Sequence, residues 1–191
     1  MFQLGMLRQE WFGPTLRRWR MLNRVKQSSL AAEMGVSQTT VSRWESGQLV
    51  PERAHAQRLE RLLSARPKSS ADHALNELVE TSRQPVHLIC DFTHRLLAAS
   101  AGRLEDWRVP LSDKLGTSLW RYATEGIRLG EAGLAARGWM DAHPPEVTVL
   151  TERMDHRDLT IRAGEIVYTR IALSDGSFAR LVRDGARQAL A

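Results

Sequence analysis

Residues 27–48 read QSSLAAEMGVSQTTVSRWESGQ, and the first third of the chain is decided there. The stretch holds two short helical segments around a turn. In Gln27–Met34, the residues Leu30, Ala31 and Met34 share one face at helical spacing, and the small Ala31 lets a neighbouring helix come close. Gly35 follows where a left-handed residue ends a helix. Ser37 then sits as N-cap of a second segment, Gln38 to Ser46, where its hydroxyl can accept an orphan backbone N–H. On that segment Val41 and Trp44 point inward, Gly47 stops the helix, and Gln38, Thr39, Ser42 and Arg43 point outward. None of those four is needed for packing. An amide, two hydroxyls and a guanidinium on one exposed helical face match the donors and acceptors of the DNA major groove: Arg to guanine O6 and N7, Gln to adenine N6 and N7, a threonine methyl to thymine.

Working outward, Pro14 is placed to open an earlier helix carrying Leu16, Trp19 and Val25, and Pro51 to open a later one with Leu59, Leu62 and Leu63 on its inner face. Charge agrees with a polyanion partner. Residues 1–70 hold twelve Lys/Arg against five Asp/Glu, a net of +7, whereas residues 71–191 hold fifteen against seventeen, a net of −2. Gln27, Lys26, Gln48 and Arg53 flank the outward face and are the candidate phosphate contacts.

Arg20, Gln27, Leu30, Ala31, Gly35, Val36, Ser37, Val41, Ser42, Trp44, Glu45, Gly47 and Pro51 resemble, in order and spacing, the lambda Cro/repressor (XRE-type) helix-turn-helix family. The resemblance covers about a quarter of the chain. It implies an all-α five-helix domain over residues 1–65, with 38–46 as the recognition helix and Gln38, Thr39, Ser42 and Arg43 against base edges. It further implies that Gln27 holds a phosphate from the start of the second helix, and that Arg20 and Glu45 form a structural salt bridge. The sequence departs from the family at Lys26, where Ser or Thr often caps that helix. Two alternatives follow: a cap from Ser28, or a direct phosphate contact by Lys26.

Arg66-Pro67-Lys68-Ser69-Ser70 breaks the apolar pattern and reads as a linker, leaving 71–191 as a second domain. A helix over 71–82 is followed by strand signals at 86–90, 95–99, 146–152, 165–173 and 178–182, with a tryptophan-rich, helical-looking middle over 103–143. Ser174-Asp175-Gly176-Ser177 reads as a hairpin turn, and Asp91-Phe92-Thr93-His94 as a second one. VHLICDFTHRLLAAS, LSDKLGTSLWRYAT and IALSDGSFARLV resemble stretches of PAS domains. The whole chain then reads as α+β: a helix-turn-helix domain and a five-stranded antiparallel sheet with helices on one face. The resemblance implies dimerisation and the sensing of a small molecule or signal. Trp107, Trp120, Tyr122, Trp139 and Tyr168 are candidate pocket residues, with plain hydrophobic core as the alternative for each. Leu75, Leu78 and Val79, with Ala71, form an apolar stripe that suits a dimer helix or packing on the domain's own sheet.

Other chemistries find little footing. His87, Cys90 and His94 are the only metal-like grouping, and an offset of three along a strand puts the first two on opposite faces, so no metal site is expected. No cofactor is expected; a haem would have to choose among His87, His94, His143 and His156, and nothing singles one out. Lys114 is the only lysine of the second domain and lacks a serine in a convincing setting, so the chain does not read as a self-cleaving repressor or any other enzyme. The single cysteine, the absence of a leader pattern and the lack of a long apolar run point to a bacterial cytoplasmic, nucleoid-associated protein and no membrane. The expectation is a transcriptional regulator that binds a palindromic stretch of double-stranded DNA as a homodimer, with a small-molecule ligand left open. A DNA-anchored antitoxin or adaptor, whose second domain grips a protein partner, is the competing reading.

Overall fold

The computed structural model describes residues 9–185. The chain divides into two compact units, one of residues up to Ser64 together with Asp175–Ser177, the other of Ala65–Ser174 and the residues from Phe178 on. The first contains α1 (Gln9–Leu22), α2 (Gln27–Met34), α3 (Gln38–Glu45) and α4 (Arg53–Leu63). Leu16, Leu30, Val41 and Leu59 are fully buried at its centre, with Met34, Trp44 and Leu63 around them. α2 ends in a Schellman turn: Gly35, at φ +72°, donates to the Ala32 carbonyl at 3.2 Å, and Val36 donates to Ala31 at 3.0 Å. Ser37 caps α3 by accepting the Thr40 N–H at 3.1 Å.

Two expectations need correction here. Pro14 does not open α1, which already runs from Gln9 with Pro14 inside it. Proline tolerates the first turn of a helix but does not by itself mark the start. The tight point is its neighbour: a Cβ on Gly13 would lie 2.7 Å from the carbonyl oxygens of Trp44 and Glu45, so α1 crosses the end of α3 at backbone contact. Nor are five helices shared by one unit. Among the described residues, four precede the division, and the fifth, α5 (Ser70–Glu80), packs on the second unit's strands.

That second unit is built on strands β1 (Val86–Cys90), β2 (Leu96–Ala99), β3 (Val147–Thr151), β6 (Gly164–Ala172) and β7 (Phe178–Asp184), all antiparallel in the order β2-β1-β7-β6-β3. A separate two-stranded ribbon joins β4 (Met154–Asp155) to β5 (Thr160–Ile161), which the sequence did not announce. α5 lies against β1 and β2, and α7 (Glu125–Ala132) against β3. The expected helical middle is mostly irregular. Besides α6 (Ala101–Leu104) and α7, only single 3₁₀ turns form, at Leu111–Asp113, Leu119–Tyr122 and Ala135–Arg137. Pro110, Gly116 and Gly138 interrupt the segment, the two glycines at φ +71° and +74°.

Register places Ile89, Arg180 and Arg170 directly opposite one another across three strands. Alternation then puts Tyr168, Val182, Val147 and Val149 on the same face. α7 covers this face closely, since a Cβ on Gly130 would lie 2.5 Å from a Val149 methyl. No described helix is long and apolar enough to cross a membrane.

Candidate nucleic-acid interface

The outward face of α3 is held by a polar chain that starts on α1. Arg20 Nε donates to Glu45 Oε1 at 2.7 Å and its Nη2 to Oε2 at 3.2 Å, a two-pronged pair, while Nη1 donates to the Val25 carbonyl at 2.9 Å. The two side chains are 16% and 4% exposed. The hydrogen bond that Arg20 donates to Glu45 holds its guanidinium above the ordinary pKa, against a smaller opposing effect of burial. Glu45 then reaches a second partner: Gln27 Nε2 donates to its Oε2 at 2.8 Å. With its nitrogen so engaged, Gln27 turns its oxygen to Gln38, whose Nε2 stands 3.5 Å away. The sequence resemblance already paired Arg20 with Glu45; what it missed is the continuation from Glu45 through Gln27 to Gln38.

Gln38, Thr39, Ser42 and Arg43 are all exposed. Gln38 and Ser42 border a cleft with Arg17, Lys26, Gln27 and Ser28, and Arg20 and Glu45 also line it. Three cations against one carboxylate make the cleft positive. Arg17 escaped notice in the sequence, where it is one of several basic residues on α1; its spacing of three from Arg20 is the signal that could have found it. Lys26 is the N-cap residue of α2 and offers no side-chain bond to the first turn. Ser28 lies inside the helix and does not replace it. The first turn of α2 thus borders the positive cleft without a side-chain cap. Gln48 and Arg53 are exposed, on the α3–α4 connection and at the start of α4.

The family model that matches is described as helix-turn-helix and covers residues 16–67. Residues 16–67 are a helix-turn-helix domain. α2 and α3 of this helix-turn-helix domain are the two helices of the motif, with Gly35 and Val36 in the turn. No curated protein sequence matches the chain. Similar solved structures include the PAS domain of an HTR-like protein from Haloarcula marismortui, at 18% identity, 70% of this chain, 100% of that one and TM-score 0.38. The PAS domain of BvgS from Bordetella pertussis is similar at 12% identity, 61% and 87% coverage and TM-score 0.33. At such scores the fold of the second unit rests on its own topology, a five-stranded antiparallel sheet with packed helices, as the PAS resemblance implied.

In that unit the five aromatic pocket candidates have different neighbours. Tyr122 belongs to an ionic cluster: its hydroxyl donates to Asp158 Oδ2 at 2.5 Å, and Lys114 Nζ reaches both at 2.7 Å. Trp120 stacks near His94 at 4.9 Å, and Trp107 bridges to Leu159. Trp139 and Tyr168 do pair, at 6.4 Å edge to face, but Arg180 lies over both rings. Arg180 is 1% exposed and binds Asp91 Oδ1 at 2.6 Å and Glu131 Oε2 at 2.6 Å. The Trp139 indole donates to both Asp91 oxygens at 3.2 Å, and Arg170 Nε stands 2.9 Å from Asp91. Burial alone would raise the Glu131 pKa; Arg180 and His94 outweigh it and lower it to about 2. Under the helices, an ion cluster occupies the centre of this face.

His94, at φ +56° in the β1–β2 turn, places Nε2 2.8 Å from Glu131. Cys90 Sγ accepts backbone N–H groups of Ala65 and Thr93, and the His87 ring is buried with its pKa driven well down, by burial first and Arg103 second. The three metal-like residues thus have separate surroundings. Among the described residues no three His, Cys, Asp or Glu are grouped to hold a metal. Of the other histidines, His143 is exposed and His156 packs edge-on to Tyr122 at 5.0 Å. The apolar stripe on α5 divides. Val79 is 4% exposed and Leu75 half-buried, while Leu78 is 70% exposed.

Proposed function

We propose that the chain is a sequence-specific, DNA-binding transcriptional regulator of the one-component type. The observation that carries this is the exposed set Gln38, Thr39, Ser42 and Arg43, on a helix fixed through Arg20, Glu45 and Gln27 beside a positive cleft. In this reading α3 enters the major groove. Arg43 and Gln38 pair with guanine and adenine edges, and Gln38 has one amide proton directed to Gln27 and keeps its other proton and its oxygen for a base. Gln27, Lys26, Gln48 and Arg53 meet phosphates on either side. A single domain of this size reads only a few base pairs, so two copies bind half-sites about one helical turn apart on a palindromic operator. The second unit supplies the pairing and receives the signal, with Leu78 as the residue of the α5 stripe open to a partner chain. The protein acts on the nucleoid in the cytoplasm. Selecting bound fragments from random duplex DNA tests the proposal. Enrichment of an inverted repeat with half-sites about 10 base pairs apart supports it, and recovery of unenriched DNA overturns it.

A further inference from the structure

Asp158 lies in the turn 156–159 between β4 and β5, and its carboxylate is buried. Three donors converge on one of its oxygens: Lys114 Nζ at 2.7 Å, the Tyr122 hydroxyl at 2.5 Å and Arg121 Nη2 at 2.7 Å all reach Oδ2. Arg157 Nε stands 3.3 Å from Oδ1. Lys114 and Tyr122 are buried, whereas the Arg121 and Arg157 side chains keep 57% and 83% of their surface in water. The turn itself is fixed. The Asp158 N–H donates to His156 Nδ1 at 3.1 Å, the Asp158 carbonyl accepts the Arg108 N–H at 2.8 Å, and Arg108 Nη1 donates to the His156 carbonyl. Arg121 is steadied by the Tyr122 ring, over which its guanidinium lies at 4.8 Å.

Charge does not balance in this cluster. Lys114, Arg121 and Arg157 carry three positive charges, and among the described residues Asp158 is the one carboxylate paired with any of them. Burial acts against the Lys114 ammonium, but its bonds to Asp158 and Tyr122 outweigh that and raise its pKa. The same two bonds hold the Asp158 carboxyl well below the usual carboxylate range. Two positive charges are left over, and two of the cations are guanidiniums that face solvent and share one buried anchor. Each has five N–H donors in a plane and directs one of them to Asp158. We propose that Arg121 and Arg157 form the mouth of a binding site for a phosphate dianion, free or as a phosphomonoester, with Asp158 and Lys114 as its buried base. The match is one of charge and of shape. A dianion neutralises the excess of two, and planar pairs of N–H groups meet tetrahedral phosphate oxygens two at a time. Asp158 is a positioning residue: it draws both guanidiniums to one point before the ligand arrives, which lowers the cost of ordering them on binding.

The test follows backbone amide shifts of the full chain during titration with inorganic phosphate, at constant ionic strength and about pH 8, where phosphate is a dianion. Residue-by-residue shifts are needed because the cleft beside Lys26 also attracts phosphate. The amides of Arg121, Arg157 and Asp158 should shift together and saturate with a Kd on the order of 1 mM or tighter. Arg121→Gln and Arg157→Gln, both at exposed side chains, should each weaken that binding at least about fivefold. Glycerol phosphate in place of inorganic phosphate separates the two sources: tighter binding makes a phosphomonoester the ligand, and weaker binding makes it free phosphate. Acetate, with a single charge, should bind at least about fivefold more weakly than phosphate, and equal binding overturns the dianion match. The site is overturned if no saturable shift occurs at Arg121 and Arg157, if shifts are confined to Gln27 and Ser28, or if both variants leave the binding unchanged.

Discussion

Replacing Glu45 by Gln should destabilise the helix-turn-helix domain and blunt its discrimination at once. The substitution keeps the shape of the side chain but removes the charge that Arg20 meets at 2.7 and 3.2 Å. Beside the Val25 carbonyl, Arg20 keeps only the neutral amide oxygen of the substituted side chain as an acceptor. Breaking a buried ion pair on one side costs about 3–5 kcal/mol. Arg20 keeps 16% of its side-chain surface in water, so part of the stranded charge is screened and the cost falls to roughly 2–3 kcal/mol. For a unit of this size that corresponds to a melting temperature lower by on the order of 10–20 °C. The assay is thermal unfolding of the full chain, followed by amide exchange at Val41 and Trp44 so that α3 reports on its own unit. A double substitution, Arg20→Gln with Glu45→Gln, should recover part of the loss because neither charge is then stranded. A loss below about 0.5 kcal/mol, or strictly additive single and double variants, would refute the reasoning.

The remaining predictions concern contacts and pH. Lys26→Ala and Arg53→Ala should each reduce the slope of log affinity against log salt by about one; unchanged slopes in both would remove the phosphate assignment. The Glu131 carboxyl is lowered from 4.5 to about 2, so its contribution to stability is full above about pH 4.5 and is lost as pH falls through about 2. Urea midpoints measured from pH 5 to 2 should therefore fall less steeply in Glu131→Gln than in the wild type, and parallel curves would contradict the role of the Arg180 cluster. Charged substitutions at Leu75 and Leu78 should lower dimer formation in sedimentation of the full chain at least about tenfold, and unaltered association would place the dimer contact elsewhere.

The turn between α2 and α3 was legible because its determinants are local: Gly35 and Ser37 each act within a few residues of themselves. Strand positions were legible for the same reason, the β1 segment at 86–90 matching to the residue. What escaped depends on residues distant in sequence. Arg180, in the middle of FARLV, gives no local sign that it will be buried, and its partners Asp91 and Glu131 lie 89 and 49 residues away. For the aromatic residues, side-chain type shows burial but not which groups meet: Arg180 lies over the rings of both Trp139 and Tyr168. Composition marked residues 66–70 as a linker but gave no sign that the buried Asp72 would accept the backbone N–H groups of Lys68 and Ser69.

The most direct test of the central claim is a competition titration of the full chain between its selected DNA site and unrelated duplex, at fixed salt, with wild type and Arg43→Ala side by side. The account predicts that the wild type favours its site by at least about 10³-fold, and that Arg43→Ala loses discrimination at one base position in each half-site, worth about 1–3 kcal/mol, while its affinity for unrelated duplex stays close to that of the wild type. Equal weakening of Arg43→Ala on every sequence would make Arg43 a phosphate contact, and a wild-type ratio near one would contradict sequence reading by α3 altogether.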